Sequence, residues 1–258
     1  MDKYPMALRL LAAATTLAGQ ALLLAASDLR AQQAAHPGQG TGNASDEMLP
    51  VRKGAHWLYR GTVSWLPAGK NAEVQVKQLT WETTVVDAVA IGKYTVALIL
   101  GHPSDLAFSE GGPAKGSYIL VVANNREIYF DRCEPAVSLE QLKLSDFRLA
   151  QLTAKRNLIF KLPLREGETF GAAPDRGERD DTFYEWSVES VGPAKQQIAG
   201  FPSDKERMAY TLIYRTMPDH QISTYVPGIG LTAYIYSHHG TPSEVDMKLV
   251  KVDLPRSK

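Results

Sequence analysis

Apolar and polar residues alternate with a spacing of two along most of the chain after residue 48. In residues 56–65, Trp57, Tyr59, Val63 and Trp65 fall on one side of an extended chain, and polar residues fall mainly on the other. Residues 184–189 and 244–249 show the same alternation. Such alternation is typical of strands with one buried and one solvated face. The pattern therefore predicts a mainly β fold, built as a curved antiparallel sheet or as paired half-barrels.

Turn residues divide the apolar runs into neighbouring strands. Asn124 and Asn125 separate two apolar runs, and both residue types tolerate the left-handed backbone of a two-residue turn. Pro227 and Gly228 stand between two further runs. We therefore predict two hairpins. After Val76 the apolar positions shift by one residue, which predicts a β-bulge near Gln78.

One stretch, residues 138–155, has features of a helix. Ser138 followed by Gln141 three residues later matches a capping box at a helix N-terminus. The apolar spacing in this stretch is irregular, so the alternative of a non-helical segment stays open.

A nine-residue pattern occurs twice, at residues 49–57 (LPVRKGAHW) and 162–170 (LPLREGETF). Each copy is followed by a strand that contains a tryptophan, Trp81 or Trp186, and then by an apolar strand at 95–100 or 209–214. A shared pattern with the same downstream order predicts an internal duplication. We expect a first β repeat at 49–160 and a second at 161–254, folded as one compact domain.

The N-terminal residues differ in composition from the rest of the chain. Lys3 and Arg9 precede an uncharged, mostly apolar run at residues 10–26, and small residues follow. This order predicts a cleaved signal peptide at 1–31, followed by a flexible linker at 32–48 that is rich in Gln, Gly and Ala. An uncleaved membrane anchor is the alternative. With cleavage, the protein is expected to be periplasmic or secreted and to have no membrane span.

The two nine-residue segments, together with residues 225–230 (YVPGIG), resemble a group of uncharacterised bacterial exported proteins. Members of that group have a Leu-Pro-Leu-Lys-x-Gly-x-x-Trp segment, a second copy midway and a late Tyr-x-Pro-Gly-Val-Gly turn. The resemblance covers almost the whole predicted mature chain. It implies a curved antiparallel sheet or paired half-barrels, related in outline to periplasmic lipoprotein-carrier folds, and it implies no catalytic residue.

Charge and cysteine content narrow the function classes. The chain has 28 basic and 28 acidic residues, so it lacks the basic excess expected of a nucleic-acid-binding protein. Cys133 is the only cysteine, so the chain can form no internal disulfide, and the lipid-attachment cysteine that many of the resembled proteins carry is missing. We interpret Cys133 as a structural or incidental thiol.

Candidate chemistry in the sequence is sparse. His238 and His239 are weak metal-ligand candidates, because adjacent residues on a strand point to opposite faces. No metal-ligand spacing, nucleophile motif or phosphate loop is present, so no metal and no other cofactor is predicted. An enzyme with a site near these two histidines is the least favoured hypothesis.

Aromatic residues on the predicted inner faces are the main functional signal. Because small curved sheets often enclose ligands, we predict a non-enzymatic protein that binds an apolar or lipid-like ligand or an envelope partner. A structural or interaction module with a filled interior is the alternative. The candidate ligand-lining residues are Trp57, Tyr59, Trp65, Trp81, Tyr184, Trp186, Tyr234 and Tyr236.

Overall fold

The computed structural model describes residues 48–69, 72–107, 114–171, 183–194, 198–201 and 206–255. The predicted signal peptide and the predicted linker lie outside the described residues, except for Met48, which is buried. No helix in the described ranges is long and apolar enough to cross a membrane.

Twelve strands of the described chain form one antiparallel sheet, in the order β6-β5-β4-β3-β2-β1-β12-β11-β10-β9-β8-β7. This confirms the predicted mainly β fold. The strands are β1 His56–Trp65, β2 Gln75–Ile91, β3 Tyr94–Leu100, β4 Ser117–Ala123, β5 Glu127–Cys133, β6 Leu158–Lys161, β7 Thr169–Phe170, β8 Trp186–Pro193, β9 Met208–Arg215, β10 Asp219–Val226, β11 Gly230–His238 and β12 Ser243–Asp253.

Consecutive strands pair with each other, with one exception: β6 and β7 do not pair and form the two ends of the sheet. At its centre, the first strand, β1, pairs with the last, β12. The sheet curls until it is nearly closed as a barrel. The two end strands approach each other, since a Cβ on Gly171, the residue after β7, would lie 3.4 Å from the Leu158 carbonyl oxygen on β6. The rings of Phe160 and Tyr225, on β6 and β10, meet at 5.3 Å.

The two predicted repeats occupy different halves of this sheet. Strands β1–β6 lie on one side of the β1–β12 pair, and β7–β11 lie with β12 on the other. Trp57 in β1 is buried, and Phe170 in β7 is partly buried and packs against the same interior cluster. The duplication itself stays a prediction.

Strand β2 is long and pairs with a different neighbour at each of its two ends. It pairs with β1 over residues 75–84 and with β3 over residues 84–91. The predicted bulge near Gln78 is wrong, because the β1–β2 register is continuous there; the irregularity lies between Val85 and Asp87. The apolar phase shifts because Val76 faces solvent, with 69% of its surface exposed.

Both predicted hairpins are confirmed. Asn124 and Asn125, with φ of 51° and 55°, form the turn between β4 and β5. Gly228, with φ of 76°, lies in the turn between β10 and β11. These left-handed conformations are accessible to Asn and Gly at low cost.

A second apolar cluster lies on the other face of β3, β4 and β5. Residues 134–157 cover it with the helix α1 (Asp146–Leu152), which buries Leu149 and Leu152. The helix is shorter than the predicted 138–155, and Ser145 rather than Ser138 caps it, since its Oγ accepts a hydrogen bond from the Arg148 N–H. Short 3-10 helices cover Pro103–Leu106, Glu140–Leu142 and Lys155–Asn157.

Candidate ligand cavity

The interior of the curled sheet contains a cavity of about 260 Å³. An engineered apolar cavity of about 150 Å³ suffices to hold benzene, so this one has room for a somewhat larger molecule. Its described wall is mostly apolar and consists of Leu49, Val51, Trp57, Tyr59, Thr83, Val85, Ile99, His102, Ser104, Leu120, Phe130, Ile159, Trp186, Gln221, Ser223, Tyr225, Gly230 and Leu231.

Three of the sequence-predicted residues, Trp57, Tyr59 and Trp186, line this cavity. The period of two on β1 places Trp57 and Tyr59 on the inner face together. Trp57 donates its indole N–H to the Ile229 carbonyl oxygen at 2.6 Å, and the Tyr59 hydroxyl donates to the Leu231 carbonyl oxygen at 2.9 Å. Because their polar atoms are bonded to backbone, these side chains contribute mainly ring surface to the wall.

Trp65, Trp81 and Tyr184 lie outside the described wall of the cavity. Trp65 ends β1 and packs, partly buried, against the interior cluster. Trp81 on β2 is buried and donates its indole N–H to the Gly101 carbonyl oxygen at 2.9 Å. Tyr184 precedes β8 with a left-handed φ of 65°.

Tyr234 and Tyr236 on β11 are buried but also lie outside the described wall. The Tyr236 hydroxyl donates to Asp219 Oδ1 at 2.6 Å. The Tyr234 ring packs edge-on against the His102 ring at 5.4 Å, and its buried hydroxyl has no hydrogen-bond partner among the described residues. Tyr234 therefore packs against a wall residue without lining the described cavity itself.

Two polar residues of the wall, His102 and Ser104, lie in the loop after β3. His102 Nδ1 accepts the Ser104 backbone N–H at 3.2 Å and lies 2.8 Å from Ser104 Oγ. Ser104 Oγ is in turn 3.2 Å from the Tyr118 hydroxyl, which donates to the Asp105 carboxylate. The Gly116 N–H donates to the other Asp105 oxygen at 2.8 Å.

His102 is neutral in this environment. Burial lowers its pKa to about 3, because the charged imidazolium would lose its hydration. Since Nδ1 accepts a backbone N–H, the ring proton belongs on Nε2. The ring also packs against Phe130 at a centroid distance of 4.9 Å.

The Ser104–His102 pair is a poor match to a catalytic nucleophile and its base. A serine hydroxyl 2.8 Å from an imidazole nitrogen resembles a nucleophile and its general base. However, His102 Nδ1 already accepts the Ser104 N–H, and a pKa of about 3 makes the ring a poor base near neutral pH.

Sequence reasoning did not identify His102. It follows an apolar strand and a glycine, and it precedes Pro103, which is a loop pattern with no known motif. The available signal was its position directly after an inward-facing strand, where a loop side chain can turn back into the interior.

The two histidines that the sequence singled out lie at the end of β11, outside the described cavity wall. His238 Nδ1 lies 3.1 Å from the Thr241 carbonyl oxygen, and the His239 backbone N–H donates to the Pro218 carbonyl oxygen. Within the described ranges, no three His, Cys, Asp or Glu residues are grouped to hold a metal ion.

Cys133 ends β5 and packs, partly buried, against the second apolar cluster. Burial raises the pKa of its thiol above the ordinary value, which disfavours the reactive thiolate.

Neither the protein-family models nor the curated proteins include a match to this sequence. Among solved structures, the chain is similar to a Bacteroides fragilis protein inferred to be exported, with a YmcC-like fold. The identity is 9% and the TM-score 0.40, over 81% of this chain and 99% of that one. It is also similar to a Parabacteroides distasonis protein inferred to be a lipoprotein, at 11% identity and a TM-score of 0.34, with the same coverage.

Proposed function

We propose that this chain is an exported, non-enzymatic protein that binds a small apolar ligand inside its curled sheet. The observation that carries the proposal is the cavity of about 260 Å³ between inward-facing strands. Ligand sites are typically concave and apolar, with a few polar groups that fix orientation. The cavity has this composition, with aromatic and aliphatic walls and a few polar side chains, from Thr83, His102, Ser104, Gln221 and Ser223.

The N-terminal sequence supports the exported location. A basic start, an apolar run and small residues before a polar linker form the order of a secretory signal. Export would place the cavity where envelope-derived or environmental apolar molecules are encountered.

An interaction module of the cell envelope is the second candidate function. Its support is the apolar surface on the segment that covers the second cluster, where Val137 and Phe147 are 71% and 73% exposed. The interior cavity favours ligand binding as the leading proposal, because an interaction module requires no internal space.

Filling the cavity tests ligand binding directly. Leu231 lines the cavity from β11, whereas Ile235 on the same strand is exposed. We expect Leu231→Trp to abolish binding of cumene, an apolar aromatic probe, because the larger ring occupies the space. Ile235→Trp is the matched control and should bind cumene as the unmodified protein does. Chemical-shift titration of labelled protein with cumene measures both, and equal binding by the two variants would contradict the proposal.

A further inference from the structure

The described cavity wall contains no ionised side chain. Its polar members are Thr83, His102, Ser104, Gln221 and Ser223, with no Asp, Glu, Lys or Arg. The Thr83 hydroxyl donates to the Gly101 carbonyl oxygen, and Ser104 Oγ is within hydrogen-bond distance of both His102 and Tyr118. These two hydroxyls are therefore already engaged with the protein.

His102 differs from these hydroxyls because one of its two ring nitrogens remains available. Nδ1 is bonded to Ser104, which assigns the proton to Nε2, and Nε2 makes no hydrogen bond to any residue that the structure describes. The ring packs against the rings of Phe130 at 4.9 Å and Tyr234 at 5.4 Å. His102 thus contributes to a mostly apolar wall a neutral ring whose Nε2–H has no partner among the described residues.

We propose that the cavity selects an uncharged molecule with one hydrogen-bond-accepting oxygen, such as a ketone, aldehyde or ester, whose oxygen accepts from His102 Nε2–H. The apolar remainder of the molecule packs against Trp57, Leu120 and Leu231. This inference rests on the proposed function, and it adds the chemical class of the ligand.

Two physical effects separate the ligand classes. A carboxylate would lose its hydration without gaining a cation on the described wall, so an acid binds poorly. A pure hydrocarbon would cover the imidazole N–H without pairing it, and an unpaired buried donor costs more than a paired one. An acceptor oxygen at this position pairs the donor and introduces no charge.

Three isosteric probes distinguish these classes: cumene is apolar, acetophenone carries one carbonyl, and benzoate is an anion. At neutral pH we expect acetophenone to bind about ten-fold more tightly than cumene, and benzoate to bind most weakly. In His102→Leu, acetophenone and cumene should bind with about equal affinity, because the donor is lost while cumene binding is retained. His239→Leu, at an exposed position outside the described wall, is the control and should keep the preference.

The outcomes separate this inference from the proposed function. If none of the three probes binds the unmodified protein, the proposed function fails. If cumene and acetophenone bind equally, or benzoate binds most tightly, only the selectivity for a neutral acceptor is overturned.

A direct spectroscopic measurement covers the case in which His102→Leu does not fold. In the unmodified protein, the imidazole ¹⁵N and N–H resonances of His102 should shift on addition of acetophenone and respond less to cumene. An unchanged His102 Nε2 resonance with saturating acetophenone would overturn the assignment of this donor.

Discussion

Tyr59 and Tyr234 are both buried tyrosines on inner strands, but their hydroxyls have different environments. The Tyr59 hydroxyl donates to the Leu231 carbonyl oxygen, whereas the Tyr234 hydroxyl has no partner among the described residues. Removing a bonded hydroxyl loses a hydrogen bond, and removing an unpaired one relieves a desolvation cost. The same Tyr→Phe change should therefore have opposite effects at the two positions.

We expect Tyr59→Phe to lower the free energy of unfolding by about 1–2 kcal/mol and Tyr234→Phe to raise it by up to about 1 kcal/mol. Urea denaturation of the two variants beside the unmodified protein measures both changes. A loss at Tyr234→Phe as large as that at Tyr59→Phe would show that the Tyr234 hydroxyl has a partner after all.

His102 makes stability depend on pH in a defined window. The folded protein protonates this ring near pH 3, whereas the ordinary pKa of 6.5 applies in the unfolded chain. Between these values the unfolded state binds more protons, so stability falls as the pH falls, by up to about 1.4 kcal/mol per pH unit from this group. His102→Gln removes this contribution and should show a shallower loss of stability between about pH 6 and about pH 4.

Denaturation curves across that pH range measure the slope for each protein. His239→Gln is the control, because it changes an exposed histidine. Equal slopes for His102→Gln and the unmodified protein would contradict the description of His102 as a desolvated, neutral ring.

At the scale of elements, the pairing of β1 with β12 joins the two halves of the sheet, and Gly61 lies in that pair opposite Met247. A Cβ at position 61 would lie 1.8 Å from the Asp246 carbonyl oxygen, which is much closer than atoms can approach. Since the obstructing atoms are backbone, the strands must separate to admit a side chain.

Gly61→Ala should therefore destabilise the protein by roughly 3 kcal/mol or more. Gly192→Ala is a matched control, because Gly192 also lies in a strand but a Cβ there would meet nothing within 4 Å. This control should change the free energy of unfolding by less than about 1 kcal/mol. Thermal denaturation compares the two variants. A similar change in stability for both would contradict the close contact between Gly61 and the Asp246 backbone.

The elements that follow simple alternation could be predicted from the sequence. On β12, Val245, Met247 and Leu249 are buried while Glu244 and Asp246 are exposed, as the spacing indicates. The β2 irregularity could not be located in the same way, because alternation assigns Val76 to the buried face of the strand, whereas its side chain is exposed. The short helix was placed too broadly because its burial depends on contacts with β3–β5 that the local sequence does not encode.

At the scale of the whole molecule, the sequence can predict which aromatic side chains face inward, but it cannot predict whether they enclose a cavity. Alternation could indicate that Trp57, Tyr59 and Trp186 face inward, but not whether the space between them is filled. That depends on how far β6 and β7 curl towards each other and on where loop residues such as His102 return to the interior. Both are long-range properties of the closed sheet.

A crystal structure of the protein under xenon pressure tests the central claim most directly, because apolar cavities bind xenon. We predict anomalous density for xenon inside the sheet, beside Leu120 and Leu231, and its loss in Leu231→Trp. An interior in which side chains fill this space, with no xenon bound, would contradict the account.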